Sequence, residues 1–345
     1  MTTLVRPNGF SGLTRRSVVG GGAAALLAGR ARRARAATGP FRITMILWRG
    51  ETDVEKGFRD YLQAHKIDAT ITVLNIDRSM ARLPAAIAAA KDAHPDLIYT
   101  WGTGPSLGVI GQYDKISPTA NVTDIPVLFT MVTSPTGSRI IAQPGKSGRN
   151  VTGVSHIAPL EAQIRAMRDY RQVSRLAVLY NPAESNSVLV IKRLQALLPP
   201  ENIELIAEAV PLDDAGQPRA DPLPDLVAKV AQREPQFLYI GPDSFIGDNR
   251  DVITGEGIRY GLPTFTGTEL EIRTSKAMVG LVTNYYALGK FAGYKAEQIL
   301  VDKIPVGDIP IETLSHFTYM VKISVAQTLK LYPPIGLLDY AEIVP

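Results

Sequence analysis

The chain has 345 residues, 45% hydrophobic and 20% charged, with 37 Lys and Arg against 33 Asp and Glu for a formal charge of +4, and no cysteine. That length exceeds one typical core and points to two lobes, while the lack of any run of 18 or more apolar residues argues against a membrane span. Without cysteine there are no disulfides, no thiolate catalysis, no Cys-ligated zinc and no lipid-modified cysteine, and the four His (65, 94, 156, 316) lack metal-ligand spacing.

The basic character is local. Residues 1–37 hold seven Arg and no Lys, Asp or Glu, and without them 30 basic side chains face 33 acidic ones, a net charge of −3. A nucleic-acid footprint disappears with that segment. It contains Arg15-Arg16, a weakly apolar stretch Ser17–Gly29 too short to span a bilayer, and Ala34-Arg35-Ala36 as an A-x-A cleavage site. This resembles a twin-arginine export signal, which implies cleavage near Ala36 or Ala37 and a periplasmic protein.

After the leader, apolar runs alternate with helical patterns. Arg42–Trp48 reads as a buried strand, and Thr52 with Glu55 forms a capping box ahead of Val54, Phe58, Tyr61 and Leu62. Strand Ala69–Leu74, a helix near Ala81–Ala93, strand Asp96–Trp101, a helix from Pro105, strand Pro126–Met131 and a short strand Asn150–Val154 complete a first series. A second repeats it: helix Leu160–Tyr170, strand Arg175–Tyr180, a helix from Ser187, strand Ile203–Ala209, helix Asp225–Arg233, strand Gln236–Ile240, a helix near Arg250–Tyr260, and strands Pro263–Thr266 and Met278–Val282. The expected fold is α/β, two doubly wound parallel-sheet lobes joined by hinge crossovers, with ligands beyond the carboxyl ends of the strands. Helix Leu288–Leu300 has no strand partner in its own series and is expected to return to the first lobe.

Motifs for catalysis fall short. Gly102 to Gly108 has G-x-G-x-x-x-G spacing on a third strand, and Asp124 precedes a strand where a ribose-binding acid would end one. Gly145-Lys146-Ser147 lacks the first glycine of a phosphate loop, Ser155-His156 lacks the frame of a nucleophile elbow, and Glu269 with Glu271 on one strand reads as solvated or ligand-facing carboxylates in preference to an acid/base pair. No catalytic residue, metal site or cofactor is expected.

Five segments carry a resemblance: Asn150-Val151-Thr152-Gly153-Val154-Ser155, Tyr180-Asn181-Pro182-Ala183-Glu184-Ser185-Asn186-Ser187, Gly241-Pro242-Asp243-Ser244, Tyr285-Tyr286-Ala287-Leu288-Gly289, and the tail from Ala326 to Ala341-Glu342-Ile343. In this order, over essentially the whole chain after the leader, they resemble the ABC transporter substrate-binding proteins of the tryptophan-binding-protein-like group, with a type I periplasmic-binding fold. Thr133-Ser134-Pro135, Asn284 and Lys322 depart from the family's usual residues. The resemblance implies capture of a small molecule, with aromatic amino acids among the family's ligands, for an inner-membrane ABC permease and ATPase, without catalysis or membrane insertion. A ligand-sensing module for a membrane receptor is the alternative.

The expected lobes are 38–155 plus about 284–316, and 156–283 plus about 317–345, closing at crossings near Ser155–Pro159, Val282–Tyr285 and Leu314–Phe317. The expected site residues are Trp48, Arg49, Thr103, Gly104, Ser106, Thr133 and Ser134 from the first lobe. Facing them are Glu184, Asn186, Ser187, Asp243, Ser244, Thr266 and Glu269 from the second, with Tyr285 beside the hinge. Helices beginning near Ser106 and Ser187 favour an anionic group, Asp243 first and Glu184 second are expected to hold an ammonium, and Trp48 or Tyr285 to wall a flat ligand. Plainer roles exist for three of them: Ser187 as a helix cap, Asp243 ordering its own turn, Trp48 in core packing.

Overall fold

The computed structural model describes residues 39–345. The leader, with its twin-arginine and cleavage signals, lies outside the described residues.

The first series runs β1 (Phe41–Leu47), α1 (Asp53–Ala64), β2 (Ala69–Asn75), α2 (Leu83–Asp92), β3 (Leu97–Trp101), α3 (Thr103–Ile110), β4 (Val127–Val132) and β5 (Val151–Ser155). The second runs α4 (Leu160–Tyr170), β6 (Arg175–Tyr180), α5 (Ser185–Leu197), β7 (Glu204–Ala209), α6 (Leu223–Ala231), β8 (Phe237–Ile240), α7 (Ser244–Asp248), α8 (Arg250–Arg259), β9 (Thr264–Thr266), α9 (Glu269–Thr274) and β10 (Val279–Val282). Then come α10 (Tyr285–Leu300), β11 (Glu312–Thr313), β12 (Thr318–Lys322), α11 (Ile323–Thr328), α12 (Ile335–Leu338) and β13 (Glu342–Val344).

Two sheets result, ordered β11-β5-β4-β3-β1-β2 and β13-β12-β10-β9-β8-β6-β7. Each is apolar on both faces, as a parallel sheet under helices must be. Ile43, Met45 and Leu47 of β1 join one core cluster and Ile46 the cluster on the opposite face. Leu176 and Val178 of β6 divide in the same way from Ala177 and Leu179. Both sheets place their second strand outside the first and their third on its other side. Consecutive connections therefore diverge to opposite faces and leave a crevice at the carboxyl ends of β1 and β3, and again of β6 and β8.

The chain passes between the sheets three times, at 156–159, 283–284 and 314–317. Helix α10 leaves β10 of the second sheet and packs on α1 of the first, where Tyr286 donates to Asp60 at 2.9 Å and Tyr61 to Glu297 at 2.7 Å. Lys295, 1% exposed, donates to the Pro310 carbonyl at 2.5 Å and to Glu312 at 2.7 Å, tying α10 to β11. The Thr52 capping box opens α1: its hydroxyl accepts from Val54 N at 3.2 Å while Glu55 accepts from Thr52 N at 2.8 Å.

The two parallel-sheet lobes are present as expected, and the tail adds β12 antiparallel to β10. Strand β12 arrives through the third crossing, without a helix laid over its own sheet, so the crossover rule for parallel strands does not govern it. Glu269 and Glu271 lie on helix α9 and not on a strand. Strand β9 stops at Thr266, whose hydroxyl binds Thr268 N at 3.1 Å and the Thr268 carbonyl at 2.9 Å, and the turn delivers two acids to a helix's first turn, where its dipole favours them.

The α1–α10 crossing leaves no room for side chains at two glycines: a Cβ at Gly57 would lie 2.1 Å from the Tyr286 carbonyl oxygen, and one at Gly289 1.9 Å from that of Val54. Backbone sets both limits, so the helices must separate to admit a methyl group. Gly289→Ala is expected to lower stability by about 1–3 kcal/mol in urea denaturation, whereas Gly255→Ala, where an added Cβ would meet no atom within 4 Å, should cost nothing measurable.

Candidate functional site

The strand-end loops of the two sheets line a common cleft with two chambers. The inner one, about 50 Å³, is walled by residues including Arg49, Trp101, Thr103, Thr133 and His156 from the first sheet's loops, Glu184, Asn186, Asp243, Ser244, Thr268 and Glu271 from the second's, and Tyr285. The outer one, about 680 Å³, shares Trp101, Thr103, Glu184, Asn186 and Ser244 and adds apolar surface from Trp48, Met80, Pro105, Pro218 and Phe245, with Gly104 at its edge. The larger falls in the usual range for small-ligand sites.

The second lobe's wall is braced by hydrogen bonds. Asp243 caps α7, accepting from Ile246 N at 3.0 Å, from Asn181 N at 2.7 Å and from the Ser187 hydroxyl at 2.5 Å. Glu184 accepts from Ser244 N and Ser244 Oγ, both at 2.9 Å, and from Asn186 Nδ2 at 2.9 Å. Together the two carboxylates lock the loop after β6 to the loop after β8. Burial, with the Asp243 charge beside it, pushes the Glu184 carboxyl up to about 7. Burial raises Asp243 as well, against the three donors that hold it.

Arg49 is the cation of the inner chamber. Its guanidinium lies 4.8 Å from the centroid of the Trp101 ring. Arg49 Nη1 reaches Asp248 at 3.3 Å, and Arg78 Nε reaches the other oxygen of Asp248 at 2.9 Å. Asp248 ends α7 in the second lobe, whereas both arginines follow strands of the first, so one carboxylate bridges the cleft to two cations.

Of the residues expected from sequence, Arg49, Thr103, Thr133, Glu184, Asn186, Asp243, Ser244 and Tyr285 line the inner chamber, and Trp48 and Gly104 the outer one. Five line neither chamber. The Ser106 hydroxyl is fully buried against Thr100 Oγ1 at 2.8 Å, and that of Ser134 accepts from Gly137 N at 3.1 Å. Ser187 is committed to Asp243, and Thr266 to its own turn. Glu269 fastens the second crossing, accepting from Tyr285 N at 2.6 Å, Arg273 Nε at 2.5 Å and Asn284 Nδ2 at 3.3 Å. Helices α3 and α5 start at Thr103 and Ser185, so their free amino ends lie two or three residues ahead of the expected positions.

Sequence reasoning missed Trp101 and His156 as lining residues; Thr268 falls within the loop Thr266–Glu269 that it pointed to, and Glu271 it left as a solvated or ligand-facing carboxylate. Trp101 and His156 carried a usable signal, since one is the last residue of a strand and the other directly follows one. His156 is fully buried, and burial together with the Arg49 charge presses it down to about 3, against the Val132 carbonyl, so the ring is neutral. Glu271 is raised by burial, partly offset by its bond from Thr268 and the charges of Arg49 and Arg250.

Comparison with known proteins places the chain. A family model described as ABC transporter substrate binding protein matches residues 45–344. A tyrosine-binding protein from Clostridioides difficile (strain R20291) is 25% identical over 194 residues, 56% of this chain and 53% of that protein, so the match spans about half of that curated relative. Among solved structures, a conserved domain protein from Vibrio cholerae has a TM-score of 0.76 at 17% identity, covering 88% of this chain and 99% of its own. An ABC domain in complex with L-Trp from Streptococcus pneumonia also has 0.76, at 18% identity, covering 89% and 100%. The fold these share is that of type I periplasmic binding proteins.

The Asp248 bridge gives a direct prediction. Its partners are part-exposed, so the bridge is worth on the order of 1 kcal/mol and its loss should shift the balance about fivefold toward open lobes. Asp248→Asn is expected to increase the radius of gyration in small-angle scattering without ligand, and high salt to do the same to the parent chain. An unchanged radius in both would show that the bridge does not hold the lobes together.

Proposed function

Because the chain belongs to the family of ABC transporter substrate-binding proteins and is therefore a binding protein and not an enzyme, we propose that it captures an amino-acid-like or aromatic carboxylate ligand and delivers it to an ABC importer. The observation that carries this reading is the division of the cleft. A chamber of about 50 Å³ with charges of both signs suits the head group of a zwitterion, and the chamber of about 680 Å³ beside it, with Trp48, Trp101 and Phe245 on its walls, suits a large side chain.

Arg49 spends one N–H on Asp248, which leaves donors of its guanidinium for a carboxylate. The start of α3, with no side-chain cap on Gly102, adds backbone donors on the same wall. Trp48, Trp101 and Phe245 offer faces for an aromatic side chain. The tyrosine-binding relative and the L-Trp complex support this choice of ligand.

In this reading the two lobes, 38–155 with about 284–316 and 156–283 with about 317–345, close by rotation at the three crossings. Closure presents a joint surface to a permease that an ATPase drives. No described helix is long and apolar enough to cross a membrane, and the Arg15-Arg16 leader supports export to the periplasm with cleavage near Ala36 or Ala37.

A thermal-shift screen of the chain without its leader tests the ligand class. An amino acid at about 100 times its dissociation constant adds about 2.7 kcal/mol of stability, so L-tyrosine or L-tryptophan should raise the melting temperature by several degrees. Shifts confined to sugars, or to no compound among aromatic amino acids and carboxylates, would overturn the reading.

A further inference from the structure

The acids of the inner chamber are not equally free. A carboxylate offers about four lone-pair positions. Asp243 fills three of them with Asn181, Ser187 and Ile246, and Glu184 three with Asn186 and Ser244. Glu271, 4% exposed, differs: its bonds from the Thr268 and Thr266 hydroxyls both fall on Oε2. Its Oε1 faces Gly247 on the chamber wall, where an added Cβ would lie 3.1 Å from it.

A second acceptor lies on the same chamber wall. His156, 4% exposed, begins the first crossing and lines the same chamber, and its buried Nδ1 has no hydrogen-bond partner. Burial holds the ring neutral, so it carries a single N–H, and in the tautomer with that proton on Nε2 the Nδ1 atom presents a lone pair to the chamber. A buried acceptor left unmet is destabilising, and a donor from outside the chain removes that cost.

We propose that His156 Nδ1 and Glu271 Oε1 together hold the ligand's amino group, one from the first crossing and one from α9, while Asp243 and Glu184 brace the wall. The inference rests on the amino-acid reading of the site and moves the ammonium contact away from Asp243. An ammonium has three donors and no acceptor, so two lone pairs and a carboxylate charge suit it, whereas a deaminated acid leaves both acceptors unmet. Because His156 begins the first crossing and Glu271 lies on α9, the amino group also ties the hinge to the second lobe. The site is then selective for amino acids over the corresponding carboxylates.

Calorimetric titration of the chain without its leader tests this, with L-tyrosine and L-tryptophan each compared with its deaminated analogue, 3-(4-hydroxyphenyl)propionate or indole-3-propionate. The parent chain is expected to prefer the amine-bearing compound by at least about tenfold, the scale of one charge-assisted hydrogen bond. Glu271→Gln and His156→Phe should each erase most of that preference while binding the deaminated analogue within about threefold of the parent. Gly247→Ala, which removes no polar atom but crowds Oε1, should weaken only the amine-bearing ligand and serves if either other variant fails to fold. Folded variants that keep the full preference would overturn the inference, as would loss of the preference in Asp243→Asn alone. Failure of all four compounds to bind the parent chain would overturn the amino-acid reading itself.

Discussion

Parallel strands all end on the same side of their sheet, and in both sheets here the second strand lies outside the first while the third lies inside it. At the point of divergence neither helix covers the carboxyl ends, so backbone and side-chain polar groups are left facing outward. The three passages between the sheets turn two such crevices toward each other, and each sheet supplies loops to one cleft. Arg49 and Trp101 flank the gap in one sheet, and Glu184 and Asp243 flank it in the other. The location of the site thus follows from strand order, before any particular side chain is considered.

Withdrawing that many polar groups from water requires partners for them. The second lobe meets most of the need internally: Asp243 and Glu184 receive six hydrogen bonds from neighbouring backbone and side-chain groups, which makes the wall stiff before any ligand arrives. The opposite side, formed by the first sheet's loops and the first crossing, meets less of it, since Trp101 Nε1 and His156 Nδ1 are buried without partners. Asp248 partly compensates across the cleft by taking both Arg49 and Arg78. A stiff wall opposite an unsatisfied one, with a modest ionic bridge between them, suits a protein that must close on its ligand and also release it.

Much of this was legible in the residues. Buried runs such as Phe41–Leu47 and the Thr52–Glu55 capping box identify strand and helix directly, and the helix over 285–300 stood out because no strand of its own series remained for it. The strand-end loops followed from those boundaries. Which side chain within a loop turns inward did not, because local hydrogen bonds decide it: Ser187, Thr266 and Ser134 are consumed by their neighbours, and Glu269 and Glu271 exchange roles once α9 replaces the expected strand. The tail was illegible for another reason. Strands of two to five residues, such as β11 and β12, carry too short a pattern to show a period, and their pairing depends on contacts made across the lobes.

The chain's two tryptophans, Trp48 and Trp101, both line the cleft, so indole emission reports on this site and on no other part of the described fold. The most direct measurement of the central claim is a fluorescence titration of the protein with L-tyrosine under excitation selective for indole. If the cleft binds the ligand and closes on it, the emission changes saturably, with the midpoint that calorimetry gives, and Trp101→Phe removes a large part of the change. If L-tyrosine binds and stabilises the protein while indole emission stays constant, the ligand sits elsewhere and the account of the cleft is contradicted.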